Sequence, residues 1–164
     1  MIFVTVGTHE QPFDRLVSAI DALKGKGVIE EDVIIQTGYS TYEPKHCTWS
    51  KLLPYSDMVK YVKDARIVIT HGGPSSFIMP LQEGKIPLVV PRQEKYGEHV
   101  NDHQLAFCTE VQKRQKNILV VQDMEQLCDF IVHYDEKVKA LSGGYTSNNE
   151  VFNRNFCDLI KDFF

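Results

Sequence analysis

The sequence predicts an α/β fold in which helices cover both faces of a Rossmann-like parallel sheet. Short β-branched runs alternate along the chain with segments of helical periodicity, which is the order that βαβ units require. The runs are apolar at nearly every position, as expected for strands that are covered on both faces. The chain of 164 residues, 43% of them hydrophobic, has the size and composition of one globular domain.

The first half of the chain contains three predicted strands and two predicted helices. The first strand is Ile2–Val6, and the helix Pro12–Lys24 follows it with a proline in its first turn, where proline fits well. The β-branched run Val33–Gln36 is the second strand. It is followed by a helix at Tyr55–Lys63 and by a third strand at Arg66–Thr70.

The second half continues the same alternation. A helix at Pro74–Glu83 again begins with proline, and the apolar run Pro87–Val90 is the next strand. A helix at Val100–Arg114 leads to the strand Ile118–Val121, and the segment Met124–Leu141 is predicted as one helix. No repeat or linker interrupts this order, so residues 1–164 are expected to form a single domain.

A last helix is predicted near Glu150–Phe163, after the polar, glycine-containing stretch Ser142–Asn149. Its apolar residues recur at spacings of three or four and form one stripe: Phe152, Phe156, Leu159, Ile160 and Phe163. Two alternatives remain open for the cover of this stripe. The helix packs on the sheet of its own domain, or it docks on a partner protein.

Composition and charge argue against several classes of protein. The net charge of −4 and the lack of a long Lys/Arg block argue against a nucleic-acid partner. No apolar run approaches the ~20 residues that span a bilayer, and the start MIFVTVGT lacks the features of a signal peptide. The 4 cysteines form no CxxC pair, which argues against a zinc site and against structural disulfides. We therefore expect a cytoplasmic protein.

The strongest candidate site is His71-Gly72-Gly73-Pro74-Ser75-Ser76, which joins a predicted strand to a predicted helix. Glycine N–H groups, serine hydroxyls and the positive end of a helix dipole together suit a diphosphate. A tight turn in which Ser75 or Ser76 caps the helix is the alternative, and it is compatible with a phosphate site.

Two further loops follow predicted strands. The turn Gly7-Thr8-His9 matches neither GxGxxG nor a Walker A sequence, so it gives no support to a dinucleotide or ATP site. The loop from Arg92 to Gln104 is rich in hydrogen-bonding groups, which suit a hydroxyl-rich ligand such as a sugar. Its His99 and His103 stand four apart, but HExxH is absent and no third ligand is identifiable, so no metal site is expected.

Three segments together resemble the carboxyl-terminal, donor-binding half of family 28 glycosyltransferases: "VTVGTHEQPFDRLV", "THGGPSSFIMPLQEGKIPLVVPRQ" and "GEHVNDHQ". The chain resembles most the small soluble subunits of bacterial two-component capsule and exopolysaccharide glycosyltransferases. It is similar also to the soluble subunit of the eukaryotic dolichol-linked UDP-N-acetylglucosamine transferase.

The resemblance implies a GT-B enzyme split between two polypeptides. This chain would bind the UDP-sugar in the cytoplasm, and a membrane-associated partner at the inner face of the cell membrane would bind the acceptor. Gly7 and Thr8 would line the cleft between the two halves, and the segment His71–Ser76 would receive the diphosphate. The residues expected to approach the sugar or to complete the cleft are Glu98, His99, Asn101, Asp102 and Gln104.

One position departs from the family pattern. Many related donor domains place a ribose-binding glutamate eight residues after the position of His71, whereas this chain has Met79 there. Recognition of the ribose must therefore use another group, for which the nearby Gln82 and Glu83 are candidates, or be weaker.

The chemistry implied is an inverting displacement at the anomeric carbon, in which a hydroxyl of a polyprenyl-diphosphate-linked saccharide replaces UDP. The donors at the diphosphate would stabilise the departing charge without a metal or other cofactor. The general base is expected on the partner, with His9 as the alternative within this chain.

Two questions stay open at the level of sequence. Galactose is the first expectation for the transferred sugar, with N-acetylglucosamine and glucuronic acid as alternatives. A hexosyltransferase active only with its partner is the expected enzyme, and a non-catalytic nucleotide-sugar-binding or enhancer subunit is the alternative on the same fold.

Overall fold

A computed structural model describes residues 1–141 of the chain, and the predicted helix near Glu150–Phe163 lies outside the described residues. A parallel sheet of 6 strands forms the centre of the fold. The strands are β1 (Ile2–Thr5), β2 (Val33–Gln36), β3 (Thr48–Ser50), β4 (Ile67–His71), β5 (Leu88–Val90) and β6 (Leu119–Val120). The helices are α1 (Asp14–Gly25), α2 (Tyr55–Asp64), α3 (Pro74–Gln82), α4 (His103–Gln115), α5 (Leu127–Val132) and α6 (Tyr134–Leu141).

The strand order is β3-β2-β1-β4-β5-β6, and every neighbouring pair is parallel. This is the order of a Rossmann-like sheet, and the predicted fold class is confirmed. The chain reverses its direction of winding between β1 and β4, which pair from Ile2 with Ile67 to Thr5 with Thr70. Ligands of open α/β sheets bind outside the carboxyl ends of the strands at such a switch point.

Alternating residues of the central strands point into different cores. Val4 of β1 faces a large core with Leu16 and Ile20 of α1, and this core also includes residues of α5. Phe3 of β1 points to the opposite face, where Val62 of α2 covers it. Both faces of the sheet are therefore covered, which explains why the strand sequences are almost continuously apolar.

Two predictions about secondary structure were wrong. Strand β3 was not predicted, because it is a 3-residue edge strand on which Thr48 and Trp49 are exposed. The segment predicted as one helix begins with a 3-10 turn at Met124–Gln126 and is divided at His133 into α5 and α6. The other elements predicted within residues 1–141 are present with end points that differ by three residues or fewer.

Two aspartates of α1 hold the long connection between β2 and β3. The carboxylate of Asp14 accepts hydrogen bonds from the N–H groups of Thr41 (2.7 Å) and Tyr42 (2.9 Å). Two turns further along α1, the buried carboxylate of Asp21 accepts hydrogen bonds from the N–H groups of Lys45 (3.0 Å) and His46 (2.7 Å). Helix α1 thus fixes the loop that follows β2, beside the switch point.

The environment of Asp21 makes part of the stability depend on pH. Burial raises the pKa of this carboxyl. The hydrogen bonds from the N–H groups of Lys45 and His46 and from the hydroxyl of Tyr42 lower the pKa by more, so the net shift is downward. A lowered folded-state pKa stabilises the fold above the unfolded-state pKa, and this stabilisation is lost as the pH falls through the folded-state value.

We predict that Asp21→Asn lowers the free energy of unfolding by about 1–3 kcal/mol at neutral pH, because an amide cannot accept all the bonds of the carboxylate. Urea denaturation at pH 7 and at lower pH measures both effects. The difference between wild type and variant should shrink on acidification. Asp32→Asn, at an exposed position, is the control. A constant difference between wild type and Asp21→Asn down to low pH would contradict the assignment.

Candidate functional site

The loops after β1 and β4 meet around the imidazole ring of His71. Gly7 has a φ of +74°, and a Cβ built there would lie 2.9 Å from Cδ2 of His71. A Cβ at Gly73 would overlap the same ring and lie 2.9 Å from its Nδ1. The two glycines therefore let the ring pack between two strand-end loops at the switch point.

The hydrogen bonds of His71 define its tautomer. Its Nδ1 accepts the N–H of Gly73 at 3.0 Å, and its Nε2 is hydrogen-bonded to Oγ of Ser76. Burial, together with the charge of Arg92, lowers the pKa of His71 to about 4, so the ring is neutral at pH 7. Because Nδ1 is an acceptor, the ring proton is on Nε2 and is donated to Ser76. The hydroxyl hydrogen of Ser76 is then free to donate to a ligand.

The N–H groups of Gly72 and Gly73, which we expected to be free for a phosphate, have side-chain acceptors. Gly73 donates to His71, and Gly72 donates to Oε1 of Gln104 at 3.0 Å. In residues 1–141, no acceptor contacts the N–H of Ser75, which is exposed at the start of α3. An anion at this helix end would therefore meet Ser75 and Ser76, with the positive end of the helix dipole behind them.

Gln104 connects the loops after β4 and β5. Its Oε1 accepts from the N–H of Gly72 and also from the N–H of Arg92, at 3.2 Å. A Cβ at Gly72 would lie 3.0 Å from Cβ of Gln104 and 3.0 Å from Sγ of Cys108, so α4 packs directly on this glycine. Glycine is needed at position 72 for close packing of α4.

His9 and His99 form a second pair of rings at the same edge, with centroids 5.0 Å apart. Nδ1 of His9 accepts the N–H of Gln11 at 3.2 Å, so the ring proton of neutral His9 is on Nε2. Burial and the charge of Arg92, followed by that of His99, lower the pKa of His9. His9 is thus a neutral ring that presents a hydrogen-bond donor at Nε2.

Arg92, which sequence reasoning did not single out, is fully buried beneath this edge. Its guanidinium donates to the carbonyl oxygens of Val6 (2.8 Å), Gln11 (2.7 Å) and Glu98 (3.2 Å) and lies 4.7 Å from the ring centroid of Phe13. Burial lowers its pKa to about 10, so it is charged at neutral pH. A basic residue immediately after a buried apolar strand was the signal available in the sequence.

Glu98 was expected to approach the sugar or to complete the cleft, and the structure buries its carboxylate. Arg15 holds both oxygens in a bidentate pair, with Nε to Oε1 at 2.8 Å and Nη2 to Oε2 at 2.9 Å. Oε2 also accepts the N–H of Gln93 at 3.1 Å. These bonds fix the loop after β5 against α1, so the role of Glu98 in the structure is to order this loop.

The remaining predicted residues lie in two environments. Oδ1 of Asn101 accepts the N–H of His103 at the start of α4, and Oδ1 of Asp102 accepts the N–H of Glu94, so both shape the loop before α4. Thr8 is exposed beside Gly7. The structure therefore brings the residues of the loops after β1 and β4 together with His99 and Gln104. Glu98, Asn101 and Asp102 instead make contacts that order the loop after β5.

Met79 packs away from this edge, against the cluster of Phe3, Val62 and Val68 under α2. Of the two polar residues proposed in its place, Gln82 is exposed and Glu83 lies 3.8 Å from Nζ of Lys63.

Among residues 1–141, no group of three or more His, Cys, Asp or Glu side chains is arranged to hold a metal ion. None of the helices within this range combines the length and the apolar character needed to cross a bilayer.

Comparison with known proteins identifies the family. The profile of the glycosyltransferase family 28 C-terminal domain matches residues 1–142. The mouse (Mus musculus) protein named UDP-N-acetylglucosamine transferase subunit ALG13 is 32% identical to this chain over 120 residues. This match covers 68% of the chain and 10% of the mouse protein.

The fold also matches a solved glycosyltransferase. SnogD from Streptomyces nogalater superposes with a TM-score of 0.56 at 13% sequence identity, over 85% of this chain and 36% of that one. At this identity the match concerns the fold alone. The chain thus spans about a tenth of the mouse relative and about a third of SnogD.

The packing of His71 against Gly73 leads to a double-mutant test. Gly73 has a φ of −73°, which any residue adopts, so Gly73→Ala should destabilise the fold only through overlap with the ring. We predict a loss of about 1–3 kcal/mol in the free energy of unfolding. In a His71→Ala background, the loss caused by Gly73→Ala should be smaller by at least about 1 kcal/mol, because the imidazole ring is absent.

Chemical denaturation of the four proteins in this cycle gives the coupling energy. Gly25→Ala is the control, since a Cβ there meets the ring of His46, which is exposed and free to move aside. Equal destabilisation by Gly73→Ala with and without His71 would show that the ring is not the constraint.

Proposed function

Since this chain belongs to the glycosyltransferase family 28 C-terminal domains, we propose that it is the donor-binding, catalytic subunit of a two-component inverting glycosyltransferase. The observation that carries the proposal is the state of His71. As a neutral ring with its proton on Nε2, it leaves the hydroxyl hydrogen of Ser76 to a ligand at the start of α3. This donor lies at the switch point of the sheet, where Rossmann-like domains bind their ligands.

The donor proposed is a UDP-sugar whose diphosphate lies at the amino-terminal end of α3. The N–H of Ser75 and the hydroxyl of Ser76 would donate to its oxygens, and the helix dipole would favour its charge. Nε2 of His9 is a third donor at the same edge. The ribose contact stays assigned to Gln82 or Glu83 as a prediction.

The reaction proposed is a displacement with inversion at the anomeric carbon. The acceptor hydroxyl oxygen forms the new bond to this carbon while the bond to the β-phosphate oxygen breaks, and the electron pair leaves with UDP. Donors aimed at the UDP oxygens stabilise the charge that grows there, and the loss of one such donor costs about 10²–10³ in rate in enzymes with an oxyanion hole.

The acceptor hydroxyl must also lose its proton to a general base. His9 was the candidate within this chain, but its Nδ1 accepts the N–H of Gln11 and its Nε2 carries the ring proton. This arrangement suits a donor better than a base. We therefore assign the base to the membrane-associated partner that would bind a polyprenyl-diphosphate-linked saccharide.

Two sugars are the leading candidates. Galactose is favoured by the resemblance of the sequence to capsule and exopolysaccharide enzymes. N-acetylglucosamine is favoured by the name of the mouse relative, a UDP-N-acetylglucosamine transferase subunit that is 32% identical over 120 residues. A nucleotide-sugar-binding or enhancer subunit without catalytic activity is the alternative to both.

We predict that the chain binds UDP and that Ser76→Ala weakens this binding by about tenfold, equivalent to about 1.4 kcal/mol. Isothermal titration calorimetry measures the affinity. Ser56→Ala, in the first turn of α2, is the matched control and should bind UDP like the wild type. Equal affinity of a folded Ser76→Ala variant would remove Ser76 from the diphosphate site.

Transfer assays with this chain, its partner, and both together separate a catalytic from an enhancer subunit. We expect transfer only from the pair, from one UDP-sugar of a panel containing galactose, N-acetylglucosamine and glucuronic acid, and undiminished by EDTA. Full activity of the partner alone would refute the catalytic assignment. Loss of activity in EDTA that Mg²⁺ or Mn²⁺ restores would refute metal-independent chemistry.

A further inference from the structure

We infer that Arg92 is a positioning residue of the donor site, which supplies a buried positive charge beneath the diphosphate and ties together the loops that surround it. The inference deepens the proposed function and rests on it for the identity of the anion. Arg92 contacts no reacting atom in this scheme.

The guanidinium joins segments that are far apart in the sequence. Nη2 donates to the carbonyl of Val6 at the end of β1, and Nη1 donates to the carbonyls of Gln11 before α1 and Glu98 after β5. The N–H of Arg92 also donates to Gln104 at the start of α4. One residue thereby fixes the carboxyl ends of β1 and β5 relative to each other. A lysine cannot reproduce this fork of donors.

Within residues 1–141, no carboxylate is paired with the guanidinium of Arg92. Glu98 is the acidic group that faces it, but both oxygens of Glu98 are paired with Arg15, which lies on α1. Two arginines and one glutamate leave an excess of one positive charge under the site, and the exposed Glu10, which raises the pKa of His9, is a further carboxylate near that ring. The neighbouring rings of His9, His71 and His99 add no carboxylate to this balance.

The positive charge reaches the edge where the ligand is proposed. The charge of Arg92 contributes to the lowered pKa of both His9 and His71, after burial as the larger cause. Both rings are thereby kept neutral, with Nδ1 available as an acceptor. An anion at the same edge is stabilised by the field that disfavours a second cation there.

The test compares UDP with uridine, which lacks the diphosphate, on wild type, Arg92→Met and Arg92→Lys. We expect Arg92→Met to lower the affinity for UDP by about tenfold more than it lowers the affinity for uridine, a difference of about 1.4 kcal/mol. Arg92→Lys should preserve most of the preference for UDP while lowering the thermal midpoint. Arg66→Met removes an arginine at the opposite end of the sheet and should leave both affinities unchanged.

A second readout needs no ligand. In an NMR titration, the midpoints of His9 and His71 should rise in Arg92→Met and stay unchanged in Arg66→Met. Glu98→Gln tests the same charge balance in a chain that retains Arg92: it should lower both midpoints and increase the preference for UDP over uridine.

The proposed function and the electrostatic role of Arg92 can be refuted separately. A wild-type chain that binds no UDP refutes the proposed function, and the histidine titration still decides the electrostatic role of Arg92. Unchanged histidine midpoints in Arg92→Met or in Glu98→Gln overturn that role. A folded Arg92→Met that loses UDP and uridine in equal proportion shows a structural role only and also overturns the inference.

Discussion

The edge of the sheet that carries the candidate site depends on the buried cation of Arg92. Its guanidinium bonds to the carbonyls of Val6, Gln11 and Glu98, so it supplies donors to loop backbone groups that the sheet itself leaves without partners. A buried charge is costly unless it is hydrogen-bonded on several sides. The fold meets this cost with loop carbonyls instead of a carboxylate, and the charge itself is retained.

Burial, together with the retained charge, explains the chemistry of the surrounding histidines. Burial disfavours the charged form of His9 and His71, and the cation beneath the site adds to this effect, so both rings stay neutral and their Nδ1 atoms act as acceptors for backbone N–H groups. Each ring then has its proton on Nε2. The two neutral rings consequently act as hydrogen-bond donors through Nε2 and not as proton acceptors, which suits the binding of an anion better than acid–base catalysis.

The sequence was sufficient to predict the fold, because its signals are local. Apolar runs, first-turn prolines and strand-to-helix turns all lie within a few residues, and the switch point follows from the βαβ order. Strand β3 was not predictable in this way, since exposed Thr48 and Trp49 give no apolar pattern and the strand exists through its pairing with β2. Likewise, no proline or glycine marks the break at His133 within the segment Met124–Leu141, which was predicted as one helix.

The sequence indicated the glycine-containing loops at the strand ends but not the contacts that these loops make. Glycines at strand ends correctly indicated close approach, yet the group that approaches Gly7 and Gly73 is the ring of His71. Recognising this required the distance between two loops that are more than sixty residues apart in the sequence. The same holds for Arg92, whose partners are defined only once β1 and β5 lie in one sheet.

The packing at this edge also bears on the proposal that a partner protein supplies the general base. Within residues 1–141, three groups at the edge that could take a proton are already engaged: His71 between Gly73 and Ser76, His9 with Gln11, and Glu98 with Arg15. Nδ1 of His99 is buried there without a hydrogen-bond partner. If one of these engaged side chains moved to act as the base, it would break a hydrogen bond that orders a loop. Stabilising a departing anion and accepting a proton place opposite electrostatic demands on one site, because a positive field favours the first and opposes the second. In the proposed two-component enzyme, dividing the two tasks between separate polypeptides would resolve this conflict, with the positive field kept in this chain.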